Sequence, residues 1–130
     1  MFEEELKTYK IFISYIDKDN EEYDTFIQKL SSAHDFEYEN SGILGNLSDD
    51  ELKKQIGSAG VVIILSGLYN DYKSIVGKQI GIARDLGKSI IVIRPYGVEN
   101  VPLSLEEIAQ DIIGWNAPCI VGSIEENYQE

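Results

Sequence analysis

Three segments of the chain are dense in β-branched and aromatic residues: Tyr9 to Tyr15, Ala59 to Leu65 and Ser89 to Ile93. The last two are almost continuously apolar instead of alternating, the pattern of a parallel strand covered on both faces. Weaker strand patterns lie at Asp35 to Glu39 and Asp111 to Trp115. Helical periodicity fills the intervals. The first helix opens after Asp19 or Asn20 as N-cap and sets Tyr23, Phe26, Ile27 and Leu30 on one face. Ser48 with Glu51 forms a capping-box pattern ahead of Leu52 and Ile56. A third helix is expected from about Asp71 to Leu86, with Ile75, Ile82 and Leu86 at helical spacing and Gly87 placed as a C-terminal cap. Ser104 with Glu107 predicts the cap of a fourth, and Pro118 the first turn of a fifth.

Strand followed by helix, five times over, predicts an α/β fold. Right-handed crossovers wind such a chain into a doubly wound parallel sheet with helices on both faces. At 130 residues the flavodoxin-like five-stranded order 2-1-3-4-5 fits best, as a single domain over 1–130 with its core at about 8–127. That topology opens a ligand crevice beyond the carboxyl ends of strands one and three, so Tyr15 to Asp19 and Ser66 to Asn70 are expected to line it.

Composition narrows the setting. The chain is 43% apolar and 26% charged, an ordinary globular balance. Its longest apolar runs fall far short of the roughly 20 residues that span a bilayer. Three glutamates within Met1 to Leu6 are unlike a secretory signal, and the lone Cys119 has no internal disulfide partner, so a reducing, cytoplasmic location is expected. One histidine and one cysteine supply no ligand set for structural zinc, and no metal is expected. A formal charge of −12 disfavours nucleic acid and anionic membrane surfaces as partners.

Several chemistries of this topology lack their residues. The acidic cluster Asp17, Asp19, Glu21 and Glu22 suits a phosphoacceptor domain, but the third strand runs into Ser66-Gly67 with no aspartate to accept a phosphoryl group. Ile16-Asp17-Lys18-Asp19 carries no glycines for a phosphate-binding loop and no run of small hydroxyl residues for a flavin phosphate. Ser14 has no nucleophile elbow around it, and His34, the one histidine, falls at the far end of the first helix.

The stretch Lys-Ile-Phe-Ile-Ser-Tyr from Lys10 to Tyr15, followed by Ile-Asp-Lys-Asp-Asn, resembles the opening box of TIR domains. It is similar above all to the small bacterial and archaeal TIR-like subfamily that includes the TIR proteins of Thoeris antiphage defence. Val62 to Tyr69 resembles the third strand and its loop, Gly87 to Gly97 with Val101-Pro102 the fourth, and Ile113-Gly-Trp-Asn116 the fifth. The resemblance covers nearly the whole chain. It implies a signalling domain that binds NAD+ as substrate or ligand and cleaves the nicotinamide–ribose bond, releasing an ADP-ribose-type messenger. On that resemblance the nucleotide is expected against Ser14, Tyr15, Asp17, Ser66, Leu68, Tyr69 and Ile75, with no other cofactor. Self-association is expected through the loop at 40–47.

In the family a glutamate stands on the helix after strand three, commonly four residues after a tryptophan. Here those positions read Ile75-Val-Gly-Lys-Gln79, and both residues are replaced. Loss of nicotinamide builds oxocarbenium-like positive charge on the ribose, which a carboxylate stabilises and a neutral amide does not. Removing one such preorganised contact slows the step by about 10²–10³. The segment Gln79 to Lys88 is also similar to the helix of nucleoside deoxyribosyltransferases, whose glutamate would again fall at position 79. Three readings follow: an NAD-processing TIR domain if position 79 carried Glu, a catalytically silent TIR-like interaction or nucleotide-binding module, and, more distantly, a deoxyribosyltransferase-like enzyme. The plainest alternative for Gln79 is an exposed helical glutamine without a role, and for Tyr15 and Tyr69 it is packing at the rim. Trp115 and Asn116 are expected to end the last strand and hold the helix after it.

Overall fold

The computed structural model describes residues 7–42, 48–95, 97 and 100–130. At its centre lie β3 (Val61–Leu65) and β4 (Ile90–Ile93), in which every residue is buried, as continuous apolar strands require. β1 (Thr8–Ile13) pairs with β3 on one side and with β2 (Glu37–Asn40) on the other, and β5 (Asp111–Ile113) pairs with β4. All four pairings are parallel, and the order is β2-β1-β3-β4-β5. The flavodoxin-like arrangement expected from the strand and helix alternation is therefore present. The edge strands alternate or are only half-buried, because each has one neighbour and less cover.

Helices pack on both faces. On one, α1 (Glu21–Ser31) lies against α6 (Ala117–Asn127); on the other, α2 (Asp49–Gly57) lies against α4 (Lys73–Asp85). Short polar side chains start three of them. Asn20, Ser48 and Asn116 accept hydrogen bonds from the backbone N–H groups of Tyr23 (3.1 Å), Glu51 (3.4 Å) and Cys119 (3.1 Å). Trp115 holds the end of β5: its indole N–H donates to the Arg94 carbonyl at 2.7 Å, and its ring meets Phe26 of α1 edge-on, with centroids 5.6 Å apart.

Two expectations are corrected. The helical stretch after β3 is broken at Tyr72, giving α3 (Ser66–Asp71) directly after the strand and then α4. The buried face of α4 is Val76, Gln79, Ile80, Ile82 and Ala83, whereas Ile75 is half-buried and Leu86 is 46% exposed. The periodicity of the large aliphatic residues misplaces the face, because a glutamine and an alanine occupy two of its fully buried positions. Ser104 caps no helix. The Pro102 carbonyl accepts from the N–H groups of Leu105 and Glu106, so α5 (Leu103–Glu106) starts earlier and encloses Ser104, whose Oγ lies 3.3 Å from the Tyr69 hydroxyl. A proline with φ already set for a turn outcompetes the serine as the start signal.

The amino ends of the strands are closed by the residues after α6. Gln129 donates its N–H to the Gly60 carbonyl (2.9 Å), accepts at Oε1 from Ser89 (3.0 Å) and donates from Nε2 to the Gly87 carbonyl (3.1 Å). A methyl group at Gly60 would collide with the Tyr128 ring.

Gly87 ends α4 in a Schellman arrangement: Lys88 N–H bonds the Ala83 carbonyl at 2.9 Å, and Gly87 N–H bonds that of Arg84 at 3.0 Å, with Gly87 at φ +68°. A Cβ there meets open space, so the cost of a side chain is backbone strain alone. Gly87→Ala is expected to lower stability by about 1–2 kcal/mol, seen as a lower urea midpoint at unchanged slope.

Candidate functional site

Gln79 is completely buried, on the face of α4 turned to the carboxyl end of β1. Its side-chain amide pairs with both backbone groups of Tyr15: Oε1 accepts from the Tyr15 N–H at 3.2 Å, and Nε2 donates to the Tyr15 carbonyl at 2.7 Å. The orientation of the amide is forced, since an N–H needs an acceptor and a carbonyl a donor. Tyr15 stands two residues past the end of β1, after Ser14 N–H makes the last bond to β3 on the Ile63 carbonyl, and Gln79 supplies the partner that a further strand residue would have supplied. The alternative of an exposed, idle glutamine is thereby corrected.

The rest of Tyr15 is held as firmly. Its phenol donates to Gln55 Oε1 of α2 at 2.8 Å, and a Cβ on Gly42 would stand 3.2 Å from its ring. Burial raises the Tyr15 phenol above its ordinary value of 10.0, opposed by the hydrogen bond to Gln55. Burial likewise raises Tyr23, opposed by Asn40, whose Nδ2 donates to the Tyr23 hydroxyl at 3.0 Å. Asn40 Oδ1 accepts from Gly42 N–H at 3.0 Å and lies 3.4 Å from Ile13 N–H. Sequence patterns signalled neither Gln55 nor Asn40. The only hint was that Gln55 falls three residues after Leu52, on the apolar stripe of its helix.

Beyond β1 opens a cavity of about 220 Å³ lined by Tyr15, Ile16, Asp17, Lys18, Asp19, Asn20, Tyr23 and Asp24. A shallower hollow of about 470 Å³ adjoins it at Asn20 and is lined by Glu21, Glu22, Thr25, Asp71 and Trp115. The first carries three carboxylates against the ammonium of Lys18, which lies 5.0 Å over the Tyr72 ring. The carboxylate of Glu22 rests on Gly67 at the start of α3, filling the space that any larger residue at 67 would need. This end of the sheet is therefore acidic and aromatic.

The residues expected to touch a nucleotide fall into three groups. Asp17 lines the cavity beyond β1 and is exposed, and Tyr15, fully buried, stands within its wall. Ser14, Ser66 and Leu68 are buried in the core beneath it: Ser14 Oγ accepts from Leu65 N–H at 2.9 Å, and Ser66 Oγ has no hydrogen-bond partner among the described residues. Tyr69 is half-buried beside Ser104, and Ile75 lines a separate cavity of about 290 Å³ with Leu52, Ser74 and Lys78, between α2 and α4. Lys78 bridges those helices through Asp49 at 2.7 Å, which holds that carboxyl below its ordinary value. Of the 40–47 loop, residues 43–47 lie outside the described residues; Ser41 is anchored by its N–H on the Ile11 carbonyl (2.7 Å) and its Oγ on that of Gln55 (2.7 Å). Among the described residues no cluster of His, Cys, Asp and Glu is arranged to hold a metal ion, and no helix is long and apolar enough to cross a membrane.

A carboxylate in place of the Gln79 amide would have no donor for the Tyr15 carbonyl, whereas a protonated carboxyl would. Gln79→Glu is therefore expected to cost about 1–3 kcal/mol at neutral pH. Burial raises the folded-state pKa of the introduced carboxyl above the unfolded value of about 4.3, so the deficit is small below that value and grows as pH rises through the folded one. Thermal unfolding against the parent chain between about pH 4 and pH 7 tests this; a constant deficit contradicts it. Tyr15 and Tyr23 give an alkaline counterpart. Both folded-state values lie above the unfolded one, so their contribution is intact below about pH 10 and is lost as pH rises through the folded values. Tyr15→Phe is expected to unfold with a shallower alkaline decline than the parent.

One solved structure has the same fold across almost its whole length: the CMP N-glycosidase BcmB of Clostridium botulinum, at a TM-score of 0.55 and 17% identity, covering 90% of this chain and 98% of that one. No curated protein matches the sequence. A family profile described as the TIR-like domain of Thoeris protein ThsB matches residues 12–100, which span β1 from Phe12, the Tyr15–Asp24 cavity wall, α4 with Gln79, and β4. The chain belongs to the family of Thoeris ThsB TIR-like domains.

Proposed function

We propose that this chain is a signalling TIR-like domain of prokaryotic antiphage defence, working in the cytoplasm, that holds NAD+ or an ADP-ribose-type nucleotide beyond β1 and leaves its glycosidic bond intact. The observation that carries the reading is Gln79, a neutral amide at the position of the family's glutamate, buried and engaged at both ends on Tyr15. It offers the ribose no charge to balance an oxocarbenium ion, and its polar atoms already have partners. The family supports the defence role, and the fold neighbour is a CMP N-glycosidase.

Size and charge define how a nucleotide would lie. A cavity of about 220 Å³ is smaller than the roughly 300–1,000 Å³ of sites that enclose a drug-sized ligand. It takes a ribose and part of a base, with Asp17 and Asp24 as acceptors for hydroxyl groups, over a wall backed by the buried rings of Tyr15 and Tyr23. The phosphates then run outward over the rim, past Lys18. Self-association through the 40–47 loop belongs to the same proposal.

Isothermal calorimetry with NAD+ and ADP-ribose, alongside nicotinamide release by the parent and by Gln79→Glu, tests the reading. Binding heat without release is expected from the parent, and release from the variant at a rate at least about 10²-fold higher. Because the rim is acidic, affinity is expected to rise as added salt screens its repulsion of the phosphates. No binding of either nucleotide would overturn the nucleotide reading and leave a module acting by protein contacts. Release by the parent would overturn the silent site.

A further inference from the structure

We infer that Tyr15 is a positioning residue that makes position 79 and the start of the β2–α2 connection one mechanical unit, so that the side chain on α4 sets the placement of Gly42 and Gln55. The inference stands whether or not a nucleotide binds.

Tyr15 is fixed at both extremes. Its peptide is gripped by Gln79 at 3.2 Å and 2.7 Å, and its hydroxyl by Gln55 at 2.8 Å. A tyrosine has two side-chain torsions, so pinning the backbone and the phenol oxygen leaves the ring little freedom. The ring is also covered, by Phe12 at 5.8 Å between centroids and by Gly42. At Gly42 the absence of a side chain is what permits the contact, since a Cβ would lie 3.2 Å from two ring carbons and from Asn40 Oδ1.

From there the bonds close into a circuit. The backbone carbonyl of Gln55 accepts from Ser41 Oγ at 2.7 Å, tying α2 to the residue before Gly42. Gly42 N–H bonds Asn40 Oδ1 at 3.0 Å, and Asn40 Nδ2 bonds the hydroxyl of Tyr23. Any residue at 79 that moves the Tyr15 peptide thus moves a ring seated beside Gly42 and a hydroxyl bonded to α2. Chains of packed side chains and hydrogen bonds can carry such coupling, and each step here is a hydrogen bond or a ring contact.

Two-dimensional amide NMR reads the coupling, because Gly42 lies in the ring-current field of Tyr15. Gln79→Met keeps side-chain length and removes both amide partners. The Gly42 backbone amide and the Gln55 side-chain amide are expected to shift, while Ile120 and Ile124 of α6, across the sheet, stay in place. Shifts confined to Tyr15 and Ile16 would overturn the proposal. If that variant fails to fold, Tyr15→Phe, which keeps the ring and the peptide clasp, carries the test in reverse. Reciprocity then requires the Gln79 side-chain amide to move together with that of Gln55; movement of Gln55 alone would refute the coupling.

Discussion

A parallel sheet of this type must solve one problem at the carboxyl end of its first strand: the chain leaves the sheet there, and its peptide groups lose their neighbours while still inside the protein. At Tyr15 the solution is Gln79. Its side-chain amide has the donor and acceptor spacing of a peptide and substitutes for the missing strand residue. Buried peptide groups without partners cost about 1–3 kcal/mol each, so the clasp fixes where β1 ends and where the loop toward Asn20 begins. The cavity wall from Tyr15 to Asp24 and the first turn of α1 are built outward from that point.

The same interaction bears on chemistry. A glutamate at position 79 can act on a ribose only as a carboxylate facing the ligand, and in that form it cannot donate to the Tyr15 carbonyl. Catalysis and the clasp therefore compete for one side chain. With glutamine at this position the clasp is made. Ile75, expected against the nucleotide, lines a cavity between α2 and α4 with Leu52, Ser74 and Lys78 and is absent from the lining of the cavity beyond β1. Acidic groups around the crevice compound the effect. Glu22 on Gly67 and Asp17, Asp19 and Asp24 around the cavity make this end of the sheet a surface of hydrogen-bond acceptors with little attraction for phosphate.

Much of the architecture was legible in the order of residues. Val61 to Leu65 and Ile90 to Ile93 read as covered strands because burial on both faces leaves no position for a polar side chain. Asn20, Ser48 and Pro118 marked helix starts because capping is local chemistry within a turn. The errors had equally local origins. Ser104 lost its capping role to Pro102, and the face of α4 was misjudged because Gln79, its most deeply engaged residue, adds nothing to an apolar stripe.

The sequence by itself determined the strand and helix alternation, hence the winding order, and the resemblance singled out position 79 as decisive. It could not determine what Gln79 does. Its two partners are the backbone of a residue 64 positions earlier, and backbone groups have no identity in a sequence. Likewise the bond from Tyr15 to Gln55, the seat of Gly42 on the Tyr15 ring, and the Glu22 carboxylate on Gly67 join elements that only the folded sheet brings together. Tertiary structure alone decided that the neutral group at the position singled out by the resemblance is a buried fastener of the chain.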